Sequence, residues 1–226
     1  MKTLLHLLAM LMANFAVAAE GAAGSAVRAV NLPPPPSTGA MSLNEALARR
    51  RSVREFSHGE LTLDEISRLA WAAQGITAPQ LRTAPSPGAT YPLEVYLVVG
   101  EVKSLATGVY RYLPCLHRLE LMSDGDIRLP VADTAVGQTW ISKAAMVVVI
   151  AAVFERTTAC YGKRGERYVY VEAGHVAQNL LLQATALGLG ARPVGAFNDL
   201  GISRLLRMPE GEMPLYIVPV GRIAQS

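Results

Sequence analysis

The sequence contains few of the residues that mark metal-binding and disulfide-rich proteins. Its 226 residues include two cysteines, Cys115 and Cys160, and neither belongs to a CxxC motif. So few soft ligands argue against a metal site. The spacing of the two cysteines leaves open whether they form a disulfide or stay free.

Charge is also scarce in this chain. Charged residues make up 17% and hydrophobic residues 51%, with a formal net charge of +3. This composition predicts a globular chain with a large core and argues against global disorder. Basic residues are spread along the chain except at residues 49–54, which argues against a nucleic-acid-binding surface. The sequence has no recognisable Ser-His-Asp triad and no phosphate-binding loop of the Walker type.

Residues 1–18 have the pattern of a signal peptide. Lys2 precedes the apolar stretch Leu4–Val17, and the small residues that follow predict cleavage near Ala18 or Ala19. The apolar stretch is shorter than the roughly 20 residues of a membrane-spanning helix. We therefore expect a periplasmic or secreted protein without a stable membrane anchor, or a cytoplasmic one if the leader is not processed.

Residues 19–40 are rich in alanine and glycine and contain four consecutive prolines. A segment with so few groups to bury is predicted to be an extended linker. The folded domain is then expected to span residues 41–226.

Three helices are predicted with clear signals. Ser42 with Glu45, and Thr62 with Glu65, have the spacing of capping boxes at helix starts. A third helix is expected at about residues 168–187, and its apolar residues run nearly all round. Such a helix must be covered on both sides, either within one domain or by a second subunit.

Strands are predicted between these helices. Residues 93–100 form one, two more flank 114–116 as a hairpin, and 145–154 is apolar on both faces and therefore central. The remaining predicted elements are a short strand at 191–197, a helix at 199–208 and a last strand at 214–222. Because helices and strands mix without a regular βαβ order, we expect an α+β fold.

A run of basic residues follows the first predicted helix. Arg50, Ser52 and Arg54 offer guanidinium groups and a hydroxyl, which together suit a phosphate group. The alternative is a solvated basic helix end that complements the helix dipole.

Two further segments have a backbone suited to a flat ligand, and a third offers a phosphate contact. Pro85 restricts the backbone, and Ser86 and Gly88 let a flat ring lie close against it. Gly195 and Ala196 have side chains too small to cover their own amide groups, which can then donate to a planar cofactor. Arg222 follows the last strand and offers a second phosphate contact. For each segment, a plain turn or an exposed arginine is the alternative.

In this order, the segments resemble a known family. "RRSVREF", "PSPGATYPLEVYLV", "VEAGHVAQNLLLQATALGLG", "RPVGAF" and "PVGR" are similar to the FMN-dependent nitroreductases over about residues 41–223, and within them to the SagB-type dehydrogenases. The resemblance implies a nitroreductase-like fold with a mixed central sheet flanked by helices, and an intertwined homodimer. It also implies FMN-dependent transfer of two electrons, through flavin N5, to or from a small organic substrate.

The resemblance also implies which residues contact FMN. The arginine run matches residues that hold the phosphate and the pyrimidine side of the ring, the proline segment lies beneath the flavin, and the glycine segment donates to N5 and O4. The full implied set is Arg50, Arg51, Ser52, Arg54, Pro85, Ser86, Gln138, Pro193, Val194, Gly195, Ala196, Gly221 and Arg222.

The chain departs from the SagB pattern at one point. The azoline oxidases of that branch carry a Lys-Tyr pair shortly before the long helix, where this chain has Cys160 and Tyr161. Tyr161 is therefore the candidate catalytic residue, and loss of the basic partner argues against azoline peptide dehydrogenation. Export would separate the chain from NAD(P)H, so another electron carrier is expected. A non-catalytic exported FMN carrier and a structural domain that meets acidic partners are the alternative functions.

Overall fold

A computed structural model describes residues 28–224 of the chain. Its helices are α1 (Leu43–Arg49), α2 (Leu63–Gln74), α3 (Arg128–Thr134), α4 (Glu155–Tyr161), α5 (Arg164–Ala186) and α6 (Asp199–Leu205). Its strands are β1 (Ala29–Asn31), β2 (Phe56–Ser57), β3 (Ile76–Ala78), β4 (Leu81–Arg82), β5 (Leu93–Val99), β6 (Gly108–Leu113), β7 (Arg118–Asp124), β8 (Met146–Val153), β9 (Leu189–Ala191) and β10 (Glu212–Ile223).

Eight of these strands form one sheet in the order β1-β7-β6-β5-β8-β10-β2, with β9 paired to β10. The named strands pair antiparallel, and single parallel bridges join Ser52 to Ala191 and Leu61 to Val102. β3 and β4 form a separate two-stranded sheet. The predicted α+β class and its large helix-flanked sheet are confirmed.

The central strands are apolar on both faces because a core lies on each side of the sheet. Along β5, Val95 and Leu97 belong to one core, whereas Tyr96 and Val98 belong to the other. β8 alternates in the same way, and its residues are fully buried up to Ala152. The first core packs against α2 and α5, and the second against α3 and α6. The predicted central strand is confirmed.

Both predicted capping boxes are present. The Ser42 hydroxyl accepts from the backbone N–H of Glu45 at 3.2 Å, and the Thr62 N–H donates to the Glu65 carboxylate at 2.8 Å. Each box satisfies two donors that the first turn of a helix leaves open.

Two predicted elements differ in their extent. The long helix begins at Arg164, four residues before the predicted start, because a tight turn at Gly162 lets it pack directly behind α4. The strand expected at 191–197 is β9, Leu189–Ala191. Pro193 has no N–H to extend the ladder, so only Val194 pairs again, with Ile217. Helices α3 and α4 were not predicted.

Part of the segment expected to be a linker lies in the sheet. Ala29–Asn31 pairs antiparallel with β7, and Leu32 is 7% exposed. The next carbonyl, of Pro33, accepts a hydrogen bond from the Ser67 hydroxyl and lies 2.9 Å from His117 Nε2. The predicted signal peptide and its cleavage site lie outside the described residues. Among residues 28–224, none of the helices has the length and hydropathy needed to cross a bilayer.

Candidate active site

The arginine stretch, residues 50–54, runs in an extended conformation beside β9. Ser52 forms a bridge with Ala191, and the Val53 N–H donates to the Ala191 carbonyl at 3.2 Å. The Arg51 guanidinium donates to two carbonyl oxygens at the end of α1, each at 2.9 Å, so this side chain caps the helix. Within residues 28–224, no carboxylate lies within 4 Å of the guanidinium groups of Arg50 or Arg54. Both cations are available to an anion.

The strand end, residues 193–196, presents free backbone donors. Val194 exchanges two hydrogen bonds with Ile217, at 2.8 and 3.0 Å, which fixes the backbone at this point. Gly195 and Ala196 are exposed, and their N–H groups have no acceptor among the described residues. The strand end therefore offers two adjacent donors on a rigid support, as the sequence predicts.

Gly221 and Arg222 lie on β10, directly beside β9. Gly221 pairs with Gly190, and a Cβ on Gly221 would lie 3.0 Å from both a Phe56 ring carbon and the Ala145 backbone nitrogen, so a larger residue there would displace its neighbours slightly. Arg222 donates to both carboxylate oxygens of Glu65, at 2.7 and 2.8 Å, and to the Glu60 carbonyl at 2.9 Å. Its guanidinium is thus already held by a carboxylate.

The proline turn, residues 85–88, is fixed by its own polar contacts. The Ser86 hydroxyl accepts from the backbone N–H of Tyr91 at 2.9 Å. Gly88 has a φ of 61°, and a Cβ there would lie 2.6 Å from the hydroxyl of Tyr161. The structure therefore brings the candidate catalytic tyrosine against the candidate flavin-binding turn. Tyr161 is 40% exposed, with Tyr168 edge-on at 5.2 Å between ring centroids.

Behind this turn lies a buried acid that the sequence analysis missed. Glu172 projects from α5 and is 1% exposed, and neither carboxyl oxygen has a hydrogen-bond partner among the described residues. Burial raises the pKa of this carboxyl to about 7, although the nearby Ser86 hydroxyl, Arg82 charge and Gln74 amide oppose the shift. The available signal was a glutamate on the apolar stripe of α5, four residues before Val176.

Gln138 lies on the opposite face of the sheet from Glu172, where its side chain has a local partner. Its amide donates to the Ala135 carbonyl at 3.0 Å, at the start of a 3₁₀ turn. Two residues later, Trp140 stacks on Phe56 at 6.5 Å and has the Arg192 guanidinium 5.4 Å above its ring. One terminal nitrogen of Arg192 is buried and unpartnered among the described residues.

Apart from Gln138, the predicted site residues fall into two groups. The arginine stretch, the strand end and Gly221–Arg222 adjoin through β9 and β10. The proline turn lies with Tyr161 and Glu172 against α4 and α5. Cys115 and Cys160 are exposed and not bonded to each other.

The first group fits one end of a flavin nucleotide. Free guanidinium groups are the usual partners of a phosphate, and unpaired backbone N–H groups suit the acceptor atoms of a heteroaromatic ring. The unpartnered polar atoms of the second group, on Glu172 and Gln74, lie behind a turn with an exposed proline. The donor set present is therefore compatible with FMN.

Comparison with known proteins identifies relatives of this chain. Residues 47–222 match the nitroreductase family. A Methanocaldococcus jannaschii protein named as a nitroreductase is 46% identical over 183 residues, which is 80% of this chain and 91% of that protein. The microcin B17-processing protein McbC of Escherichia coli is 28% identical over 142 residues, which is 61% of this chain and 52% of McbC.

Solved structures agree with these relatives. A crystal structure from Ralstonia eutropha, described as a nitroreductase, aligns with a TM-score of 0.77 at 32% identity over 91% of this chain and 94% of its own. A chain of the E. coli microcin synthetase McbBCD complex aligns with a TM-score of 0.70 at 23% identity over 94% of this chain and 87% of its own. The second likeness concerns the fold alone.

Proposed function

Because the chain belongs to the nitroreductase family of oxidoreductases, we propose that it binds FMN and moves two electrons at a time to or from a small organic substrate. The observation that carries this proposal is that one short segment joins both features: the arginine stretch bridges to β9 at Ala191, and free N–H groups follow at Gly195 and Ala196. Bound FMN supplies the redox chemistry, and the protein supplies position and electrostatics.

Each part of the chain has one task in this proposal. The N–H groups of Gly195 and Ala196 donate to acceptors at the edge of the ring and stabilise negative charge that develops there. Arg50 and Arg54 neutralise the phosphate. The proline turn gives the ring a stiff surface, since Pro85 restricts the backbone. Tyr161 stands at the border of that surface, where its hydroxyl can meet a substrate.

Arg222 has a different task from the one that the resemblance implies. Its bidentate pair with Glu65 would have to break before the guanidinium could reach a phosphate. We assign Arg222 to the support of the site, and the phosphate to Arg50 and Arg54.

A homodimer is part of the proposal, because α1 and α5 leave apolar side chains exposed. α5 buries one stripe, and on its other side Tyr170 and Val171 are 55% and 50% exposed. On α1, Leu43 and Leu47 are 66% and 51% exposed. Side chains of this size commonly mark a subunit interface when they cluster. Light scattering on the purified chain tests this, and a monomeric mass contradicts it.

The absorbance spectrum of the purified full chain tests FMN binding. We expect flavin bands at roughly 370 and 450 nm after incubation with FMN and desalting. The double variant Arg50→Glu, Arg54→Glu should lose these bands while its circular dichroism stays unchanged. Arg49→Glu is the matched control, because Arg49 is a neighbouring cation that is paired with Glu45 on the surface of α1. Colourless wild-type protein refutes the proposal.

Turnover distinguishes an enzyme from a flavin carrier. The chemically reduced holoprotein should be reoxidised by a nitroaromatic or a quinone. Tight FMN binding without turnover on any acceptor favours the carrier instead.

A second candidate function is oxidation of azoline rings in peptides, and the similarity to McbC favours it. Tyr161 beside the proline turn is compatible with this chemistry, whereas Cys160 stands where a basic partner is expected. An azoline-containing peptide incubated with the holoprotein decides between the two: loss of two mass units supports peptide oxidation, and an unchanged mass supports the small-substrate reductase.

We also propose that the mature protein acts outside the cytoplasm with an electron carrier other than NAD(P)H. The leader sequence of residues 1–18 supports this. The N-terminal sequence of protein purified from its native cells tests it: a start at residue 19 or 20 supports export, and an intact Met1 in the cytoplasmic fraction refutes it.

A further inference from the structure

Two lines of potential hydrogen-bond donors lead towards the buried carboxyl of Glu172, but neither makes a hydrogen bond with it in the described structure. In the first, Arg82 donates to the side-chain oxygen of Gln74 at 2.6 Å, which turns the Gln74 amide nitrogen away from Arg82. That nitrogen is buried and has no other partner among the described residues, and it faces Glu172. Arg82 is itself fixed, with its guanidinium 4.4 Å above the ring of Tyr91.

The second line comes from the proline turn. The Ser86 hydroxyl already accepts the N–H of Tyr91, so its own proton is free to donate. It faces the Glu172 carboxyl as the Gln74 amide does. Two donors from two separate segments thus lie near one buried acid, whose oxygens have no hydrogen-bond partner among the described residues.

We propose that Glu172 is a positioning residue of the active site, which orients the nearby Ser86 hydroxyl and places a negative charge behind the surface on which the flavin lies. This inference rests on the proposed function, because it assigns the flavin to the proline turn. A negative charge near the ring opposes the negative charge that reduction adds, so an ionised Glu172 lowers the reduction potential of the flavin.

The neighbours of Glu172 determine when it is ionised. Arg82, on β4, is the charged group that faces it, and around Arg82 lie Tyr91, Glu94 and Cys115. Burial keeps the carboxyl neutral to a pH near 7. Glu172 therefore lowers the reduction potential of the flavin little at acid pH and most strongly above neutral pH.

The test is the midpoint potential of the FMN holoprotein from pH 5.5 to 8.5, measured by equilibration with a reference dye. Glu172→Gln should raise the potential relative to wild type at pH 8.5 and leave it nearly unchanged at pH 5.5. Glu172→Asp should restore the wild-type profile at least in part. Glu212→Gln is the matched control, because it removes a carboxylate that is 4% exposed and ion-paired on the other face of the sheet.

Ser86→Ala provides an independent variant if the substitutions at Glu172 do not fold. Loss of the hydroxyl donor should move the pH dependence of the potential to higher pH, since the hydroxyl stabilises the carboxylate. Equal profiles for wild type, Glu172→Gln and Ser86→Ala in protein that binds FMN overturn the inference and leave the proposed function intact. Failure of wild-type protein to bind FMN overturns the proposed function instead.

Discussion

The two ends of the candidate site differ in whether their carboxylates have hydrogen-bond partners. At the arginine end, Glu65 accepts two hydrogen bonds from Arg222 and one from the Thr62 N–H, so its charge is balanced by one guanidinium and further stabilised by a backbone donor. At the proline turn, Glu172 is more deeply buried and neither of its oxygens is paired within residues 28–224. An isolated buried charge costs several kcal/mol, so the fold does not maintain Glu172 for stability.

Burial alone does not account for the difference. The side chain of Glu212 is 4% exposed, yet it accepts from Arg111 at 3.0 Å and from the Tyr96 hydroxyl. This fold supplies partners to a buried acid where the acid serves structure. The unpaired Glu172 carboxyl therefore indicates that the fold gives up some stability in order to bind its ligand, as is common at functional sites.

The contrast between the unpaired Glu172 and the paired Glu65 and Glu212 should have its largest effect on the pH dependence of stability. The unfolded chain releases the Glu172 proton near the ordinary pKa of 4.5, and the folded apoprotein keeps it to about 7. Between these values the folded state binds more protons than the unfolded state, so the free energy of unfolding falls as pH rises. The expected loss is about 3 kcal/mol in all.

Urea unfolding of the apoprotein at pH 5, 6, 7 and 8 measures this effect. Comparison with Glu172→Gln isolates it, because the other titrating groups cancel. The variant should lose less stability over this range and be the more stable protein at pH 8. Parallel profiles would mean that the buried carboxyl has found a partner, and the contrast with Glu65 would disappear.

At the arginine end, the free energy of unfolding should depend on the Arg222–Glu65 ion pair rather than on pH. Arg222→Met removes the bidentate partner of Glu65, and we expect a loss of about 1 to 2 kcal/mol in the free energy of unfolding. In a double-mutant cycle with Glu65→Gln, the interaction free energy between Arg222 and Glu65 should account for most of that loss. The FMN dissociation constant should change far less than in Arg50→Glu, Arg54→Glu. A comparable loss of FMN affinity contradicts the structural assignment of Arg222.

The sequence predicted the elements whose signals are local. Capping boxes at Ser42 and Thr62 and the apolar strand β8 could be read from a few neighbouring residues, because helix starts and central strands depend on nearby side chains. The arginine stretch and the Gly195–Ala196 segment were also selected from local sequence, and their role in FMN binding stays a prediction.

What the sequence could not predict depends on distant partners. Arg222 and Glu65 are 157 residues apart, and nothing local to either residue predicts their pairing. The neighbours of Glu172 come from α2, β4 and the proline turn, so its pKa depends on the whole fold. β1 lies in a segment with the composition of a linker, and it is a strand only because β7 leaves an edge open to it.

The smallest expected effect on the free energy of unfolding concerns the proline turn, and it is measured by comparing two glycines of similar backbone conformation. Gly88 and Gly137 have φ values of 61° and 67°, and an added Cβ meets the Tyr161 hydroxyl at the first and nothing within 4 Å at the second. Substitution by alanine should cost about 1 kcal/mol at each, from the backbone alone. Gly88→Ala should cost a few tenths of a kcal/mol more, because the exposed tyrosine must move aside.

The contact with Tyr161 is what this pair of variants measures. Urea unfolding should show that Tyr161→Phe recovers the excess cost in Gly88→Ala and nothing in Gly137→Ala, since only the first alanine meets the hydroxyl. If both alanines cost the same, Tyr161 is not held against the turn. The tyrosine would then be free of the surface that Glu172 supports, and its place as the candidate substrate contact would lose its structural basis.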